Sequence, residues 1–262
     1  MAVYKKRGYK AKAIKEKAEA LEPEVAAEEL ESATAEVFNT LDETANKTEE
    51  WVATNQKYIF GVVGALALIA LLVVGYQRLI QEPKEIKAAN EIYQAQQYFK
   101  EAQAAGETEK EALYDLALNG GNGKLGLNDI IDQYGSTETG NIAEYYAGFS
   151  YLAKKDYKTA IEHLDNFSSD DYILAALAKG GIADAFAQLG DEEKALDYYN
   201  KAAAGEANEF TTPKFLLKAA KTAISLGKPS EAVAKLEQIE TEYATSAEFS
   251  EVETLLAKAK AL

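Results

Sequence analysis

Cysteine is absent from the 262 residues, histidine and tryptophan occur once each, and proline occurs four times. The lack of cysteine removes disulfides, thiolate nucleophiles and thiolate metal sites together. It assigns no compartment, although it suits an oxidising one, where a stray thiol is a hazard. Basic charge is also short, with Lys+Arg 28 against Asp+Glu 43 and a net charge of −15. Strict alternation of apolar and polar residues over a useful length is missing, so no sheet is expected. No catalytic constellation stands out, and neither a metal site nor a cofactor is expected.

What the chain does have is one long uncharged run, Tyr58 to Tyr76, bounded by Lys57 and Arg78. Nineteen residues at about 1.5 Å each reach roughly 28 Å, close to the roughly 30 Å of a bilayer's hydrocarbon core. Lipid offers peptide groups no partner, so a helix that satisfies them internally is the expected form, and a single membrane span over 58–79 is predicted. Tyr58 and Tyr76, with Trp51 one or two turns earlier, suit the headgroup level. The run is too long and too far from the start for a cleaved signal peptide, and too long for an ordinary buried helix. Gly61 and Ala65 form a small-xxx-small pair through which another helix can approach, or simply reflect how common such residues are in spans.

The span divides the charge unevenly. Nine basic and twelve acidic residues precede it, a balance of −3, while 19 and 31 follow, a balance of −12. An acidic region of that size is a poor match for nucleic acid, and no DNA partner is expected. Seven of the leading basic residues fall between Lys5 and Lys17. Lys and Arg in short flanking segments favour the cytoplasmic side, so the N-terminus is expected inside and residues 80–262 translocated. The leader, 1–57, opens with a basic arm that either touches anionic lipid headgroups or ribosomal RNA, or only fixes topology. An acidic connector follows around Pro23. From about residue 33 the spacing Val37, Leu41, Ala45, Thr48, Val52 predicts a weakly amphipathic helix, seated on an interface or partner helix or serving as a solvated connector.

After the span, Pro83 marks the first turn of a new helix, and Ile86, Ala89, Ile92, Tyr93, Gln96 and Phe99 have helical spacing. Thr108 with Glu111 reads as a capping box opening the next helix. Asn119-Gly-Gly-Asn-Gly123 breaks the chain, and Leu125 to Tyr134 makes a short helix ending at Gly135.

From residue 141 the chain resembles itself three times, over about 141–174, 176–209 and 213–246, aligned on Ala160, Ala195 and Ala232. These alanines lie 35 and 37 residues apart. Gly148, Ala183 and Ala220 are small where the two helices of a unit meet, Tyr151 and Phe186 are bulky between them, and Ala223 departs from that pattern. Leu164, Tyr199 and Leu236 are placed to pack on the next unit. Gly190 and Gly227 fall at the turn, where glycine most easily takes a left-handed backbone. Thr212-Pro213 reads as an N-cap with proline at the first helical position. His163 reads as a surface or inter-unit residue. The period, with two helices per unit, resembles the tetratricopeptide repeat (TPR). The implied fold is an all-α TPR helical-hairpin solenoid preceded by one transmembrane helix, with 84–135 adding a degenerate pair and Ala247–Leu262 a capping helix.

In that family the first helices line a groove for polypeptide segments. Carried over position by position, the resemblance gives Ile142, Tyr145, Phe149 and Leu152 from the first unit, Asp184 and Gln188 from the second, and Lys214, Leu217, Lys218 and Lys221 from the third. The basic and amide clamp that holds chaperone C-terminal carboxylates is incomplete here, so an apolar, tyrosine-rich groove for extended segments is expected, unless the chain's own helices fill part of it. The order of leader, span and acidic repeat domain resembles YfgM-type proteins, with a further likeness to TPR proteins of the Bacteroidota. That resemblance implies a non-enzymatic protein of the bacterial inner membrane, ancillary to the Sec translocon alongside a PpiD-like chaperone, meeting membrane lipids and unfolded secretory chains. An adaptor of another envelope machine, such as a secretion or gliding apparatus, is the alternative.

Overall fold

The structure, a computed structural model, describes residues 23–262, with side chains from residue 48 onward. The basic arm and the side chains of Val37, Leu41 and Ala45 lie outside the described residues. By its internal contacts the chain divides into two units that meet between Gly75 and Tyr76.

In the first unit a single helix, α1 (Pro23–Tyr76), takes in both the connector and the apolar run. Proline suits its first turn because the missing N–H would have no helical partner there. The most apolar stretch of this helix is long enough to cross a membrane, and none of it is buried. Phe60, Leu66, Leu68, Leu71 and Leu72 all face outward. So large a contiguous apolar surface is unfavourable in water and favourable in hydrocarbon. Gly61 has open space around it, leaving room for a neighbouring helix.

The second unit is all helical among the described residues, apart from one isolated bridge between Gly121 and Lys124. It begins with a π-helical turn, Gln77–Gln81, in which the Glu82 N–H bonds to the Gln77 carbonyl. The cause is local: Pro83 has no N–H to return to the preceding turn, and a wider turn absorbs the gap. The remaining helices are α2 (Glu82–Ala104), α3 (Glu107–Asn119), α4 (Leu127–Tyr134), α5 (Glu138–Ala153), α6 (Tyr157–Asn166), α7 (Tyr172–Gln188), α8 (Glu192–Ala203), α9 (Thr212–Ser225), α10 (Pro229–Glu242) and α11 (Phe249–Lys260). From α5 onward, each helix packs on the next in the chain.

Asp156, Asp171 and Asp191 cap α6, α7 and α8, accepting bonds from the Thr159, Ile173 and Lys194 N–H groups, and Thr137 caps α5 through Gly140. Two expected caps fall elsewhere. Helix α3 starts before Thr108, because the Gly106 carbonyl already accepts the Glu109 and Lys110 N–H groups. At α9 the cap is Thr211, while the buried Thr212 hydroxyl is used to accept the Asn208 N–H at 3.0 Å.

Three turns join α5 to α6, α7 to α8 and α9 to α10, and they repeat one hydrogen-bond pattern. The Asp156, Asp191 and Lys228 N–H groups bond to the Tyr151, Phe186 and Ala223 carbonyls, at 2.9, 3.0 and 2.8 Å. The residue before each has a positive φ, +66° at Lys155, +80° at Gly190 and +67° at Gly227. Such a turn closes a helix and sends the chain back along it, so each pair is a hairpin.

Small residues set the spacing within and between hairpins. Ala160, Ala195, Ala232, Ala183 and Ala220 are fully buried. A side chain on Gly148 would meet Leu164 within 2.5 Å, and one on Gly180 would meet the Phe215 ring within 2.0 Å, so α7 receives the ring of α9 directly. The core forms three clusters, one centred on α2 to α5, one around Leu164, Phe167 and Ile182, and the largest running from α7 to α11. Helix α11 closes the far end with Val252, Leu256 and Ala259.

Candidate functional site

Three of the four expected groove residues of α5, Ile142, Tyr145 and Phe149, pack against one core cluster, which Leu152 does not join. Tyr145 stands 4.7 Å from Phe149, 5.1 Å from Phe167 and 5.7 Å from Tyr146, measured between ring centres. These separations favour edge and tilted contacts. Tyr145, Ile142, Phe149 and Leu152 are all half-buried. Phe149 lies against Gly181 of α7, where an added Cβ would stand 3.0 Å from it. Burial, then the neighbouring Tyr146, pushes the Tyr145 phenol up to about 12. The chain's own helices therefore occupy much of the apolar face that α5 presents.

Asp184 and Lys218 also meet, as an intramolecular pair. The Lys218 ammonium donates to both Asp184 oxygens at 2.6 and 2.8 Å, and the Tyr199 hydroxyl donates to Asp184 Oδ1 at 2.5 Å. One carboxylate of α7 thus ties down α8 and α9. Burial first, then the Asp184 bond, raises the Tyr199 phenol. The pair itself is about a third exposed, so its Coulomb attraction is partly screened, and the satisfied Tyr199 hydroxyl carries more of the effect.

The other expected residues stay apart. Leu217 is buried in the largest cluster rather than exposed to a ligand. Lys214 lies over the Phe210 and Phe215 rings, at 6.0 and 5.9 Å from their centres. Lys221 is exposed and pairs with Glu251 of α11 at 2.6 Å. Gln188 is exposed, with the Tyr157 hydroxyl 3.5 Å away. His163 is half-buried on the α5–α6 hairpin: its Nδ1 stands 2.5 Å from the Glu144 carboxylate and its ring stacks on Tyr151. Among the described residues no group of three or more His, Asp or Glu is arranged to hold a metal ion.

Clefts open away from these positions. One of about 420 Å³ lies between α6, α7 and α8, with Phe167, Ala178 and Ile182 as an apolar floor and Lys179 and Lys201 at its rim. A polar one of about 210 Å³ lies beside Lys110, Tyr114 and Lys154. A third, of about 570 Å³, adjoins the π-turn and contains Arg78, Glu82 and Glu138. Period and spacing did not signal these residues, because clefts form where loops and helix ends converge, and that convergence is tertiary. None of the protein-family models, curated proteins and solved structures compared with the chain matches it.

Proposed function

We propose that the chain is a non-catalytic, membrane-anchored scaffold whose TPR-like hairpins bind polypeptide segments at the outer face of a bacterial inner membrane. In this reading α1 crosses the bilayer once, the leader is cytoplasmic and residues 80–262 are periplasmic. The observation that carries the reading is the pairing of an exposed apolar helix with three hairpins that share one turn geometry. Repeated hairpins build a continuous surface on which an extended segment can lie, and the anchor fixes that surface near the membrane.

The binding face comprises α5, α7 and α9. Its floor is the half-buried aromatic group of Tyr145 and Phe149, and its accessible polar positions are Gln188, Lys214 and Lys221. A face of this kind grips through stacking and a few charge contacts, which suits extended and unfolded chains. The leading assignment is an ancillary subunit of the Sec translocon that works beside a PpiD-like chaperone and meets emerging secretory chains. Affinity purification of the tagged full chain in mild detergent tests it. Co-isolation of translocon subunits is expected, whereas a reproducible set of other envelope proteins transfers the scaffold to another machine.

A further inference from the structure

The cleft beside the π-turn carries an assignment of its own, which rests on the reading that α1 spans a bilayer. The apolar run ends at Tyr76, and Arg78, which lines the cleft, follows two residues later in the chain, where a span gives way to headgroups. Its lining combines both signs of charge: Arg78 from the π-turn, Glu82 and Glu85 from α2, and Glu138 from the start of α5. Glu85 is already committed, accepting the Thr139 N–H and hydroxyl. On the rim, Lys84 donates to the Ser136 hydroxyl at 2.9 Å. Arg78, Glu82 and Glu138 are exposed and make no ion pair among the described residues.

A free guanidinium beside two free carboxylates fits few ligands. An inorganic anion would meet the two glutamates, and a metal ion lacks a third converging ligand. A molecule carrying a phosphate and a primary ammonium matches both signs. We propose that this cleft binds the headgroup of an aminophospholipid, phosphatidylethanolamine being the simplest, with its phosphodiester on Arg78 and its ammonium between Glu82 and Glu138. The guanidinium fork suits two phosphate oxygens, and the ammonium's three N–H donors suit a pair of carboxylates. A choline headgroup has no such donors. A glycerol headgroup offers Arg78 the same phosphate but brings no cation, so the two carboxylates stay unmatched. The volume of about 570 Å³ lies within the roughly 300–1,000 Å³ of small-molecule sites.

The test uses the full chain in nanodiscs of phosphatidylcholine containing equal minor fractions of phosphatidylethanolamine and phosphatidylglycerol. Native mass spectrometry then counts the lipids retained on the protein. Phosphatidylethanolamine is expected to be enriched about tenfold over both others, the yield of one good charge-assisted contact. Arg78→Gln and the pair Glu82→Gln with Glu138→Gln should each remove that enrichment. Glu237→Gln, whose carboxylate pairs with Lys260 at 3.4 Å on α10 and α11, should leave it intact. Equal retention of the three lipids overturns the proposal, as does a preference for phosphatidylglycerol. Displacement of the lipid by equimolar soluble phosphoethanolamine would reassign the cleft to a free phosphoamine. A protein that stays outside the nanodiscs would overturn the anchor itself, a result distinct from an embedded protein with no lipid preference.

Discussion

Lys155 adopts at φ +66° the left-handed backbone that its two counterparts give to Gly190 and Gly227. For a side-chain-bearing residue this costs on the order of 1–2 kcal/mol, partly offset by roughly 0.5–1 kcal/mol less chain entropy to lose than glycine has. Lys155→Gly should therefore stabilise the second unit by about 0.5–1 kcal/mol in thermal or urea unfolding. Gly190→Ala should destabilise it by about 1 kcal/mol, because its site has open space and only the backbone angle opposes a methyl group. Unchanged midpoints in both variants would remove the turn geometry from the account. At Tyr145 the shift has a definite sign. Its phenol is raised from 10.0 to about 12, so its full contribution to stability is present below pH 10, where the unfolded phenol is still protonated. That contribution is lost as pH rises through about 12. In Tyr145→Phe the unfolding midpoint should fall less steeply above pH 10 than in the natural chain, while the two coincide near neutrality.

Helices α7, α8 and α9 are joined at Asp184, and that junction gives a prediction at the scale of elements. Asp184→Ala strands a buried Tyr199 hydroxyl and frees Lys218. Leaving a buried donor unsatisfied costs about 1–3 kcal/mol. The variant should lose stability in that range, and Asp184→Ala combined with Tyr199→Phe should recover most of it, a coupling that a double-mutant cycle reads. Much of the helical layout was legible in the sequence. Period, the turn glycines Gly190 and Gly227 and the 35- and 37-residue spacing located the three hairpins, since those signals are local and the turns obey them even where Lys155 replaces glycine. The caps at Thr108 and Thr212 were displaced because neighbouring backbone groups, Gly106 and Asn208, competed for the same bonds. The candidate site was less legible. Spacing places Tyr145, Phe149 and Leu217 on the first helix of a unit, but it carries no information about whether α7 or α10 will cover them. Nor does it reveal that Asp184 and Lys218, 34 residues apart, satisfy each other rather than a ligand.

At the scale of the molecule, a helix long and apolar enough to cross a membrane is followed in the chain by a π-turn and an acidic helical unit. The exposed apolar surface from Tyr58 to Tyr76 is favourable in hydrocarbon, and the second unit holds its own core and its own ion pairs. The central claim is that the first unit sits in the membrane while the second works outside it. Protease added to intact spheroplasts addresses that claim directly. Cleavage within 80–262 before lysis, leaving a membrane-bound N-terminal fragment protected from the protease, is the predicted result. Protection of that same region until the membrane is broken, or its recovery in the detergent-free supernatant with the chain uncut, would contradict the account.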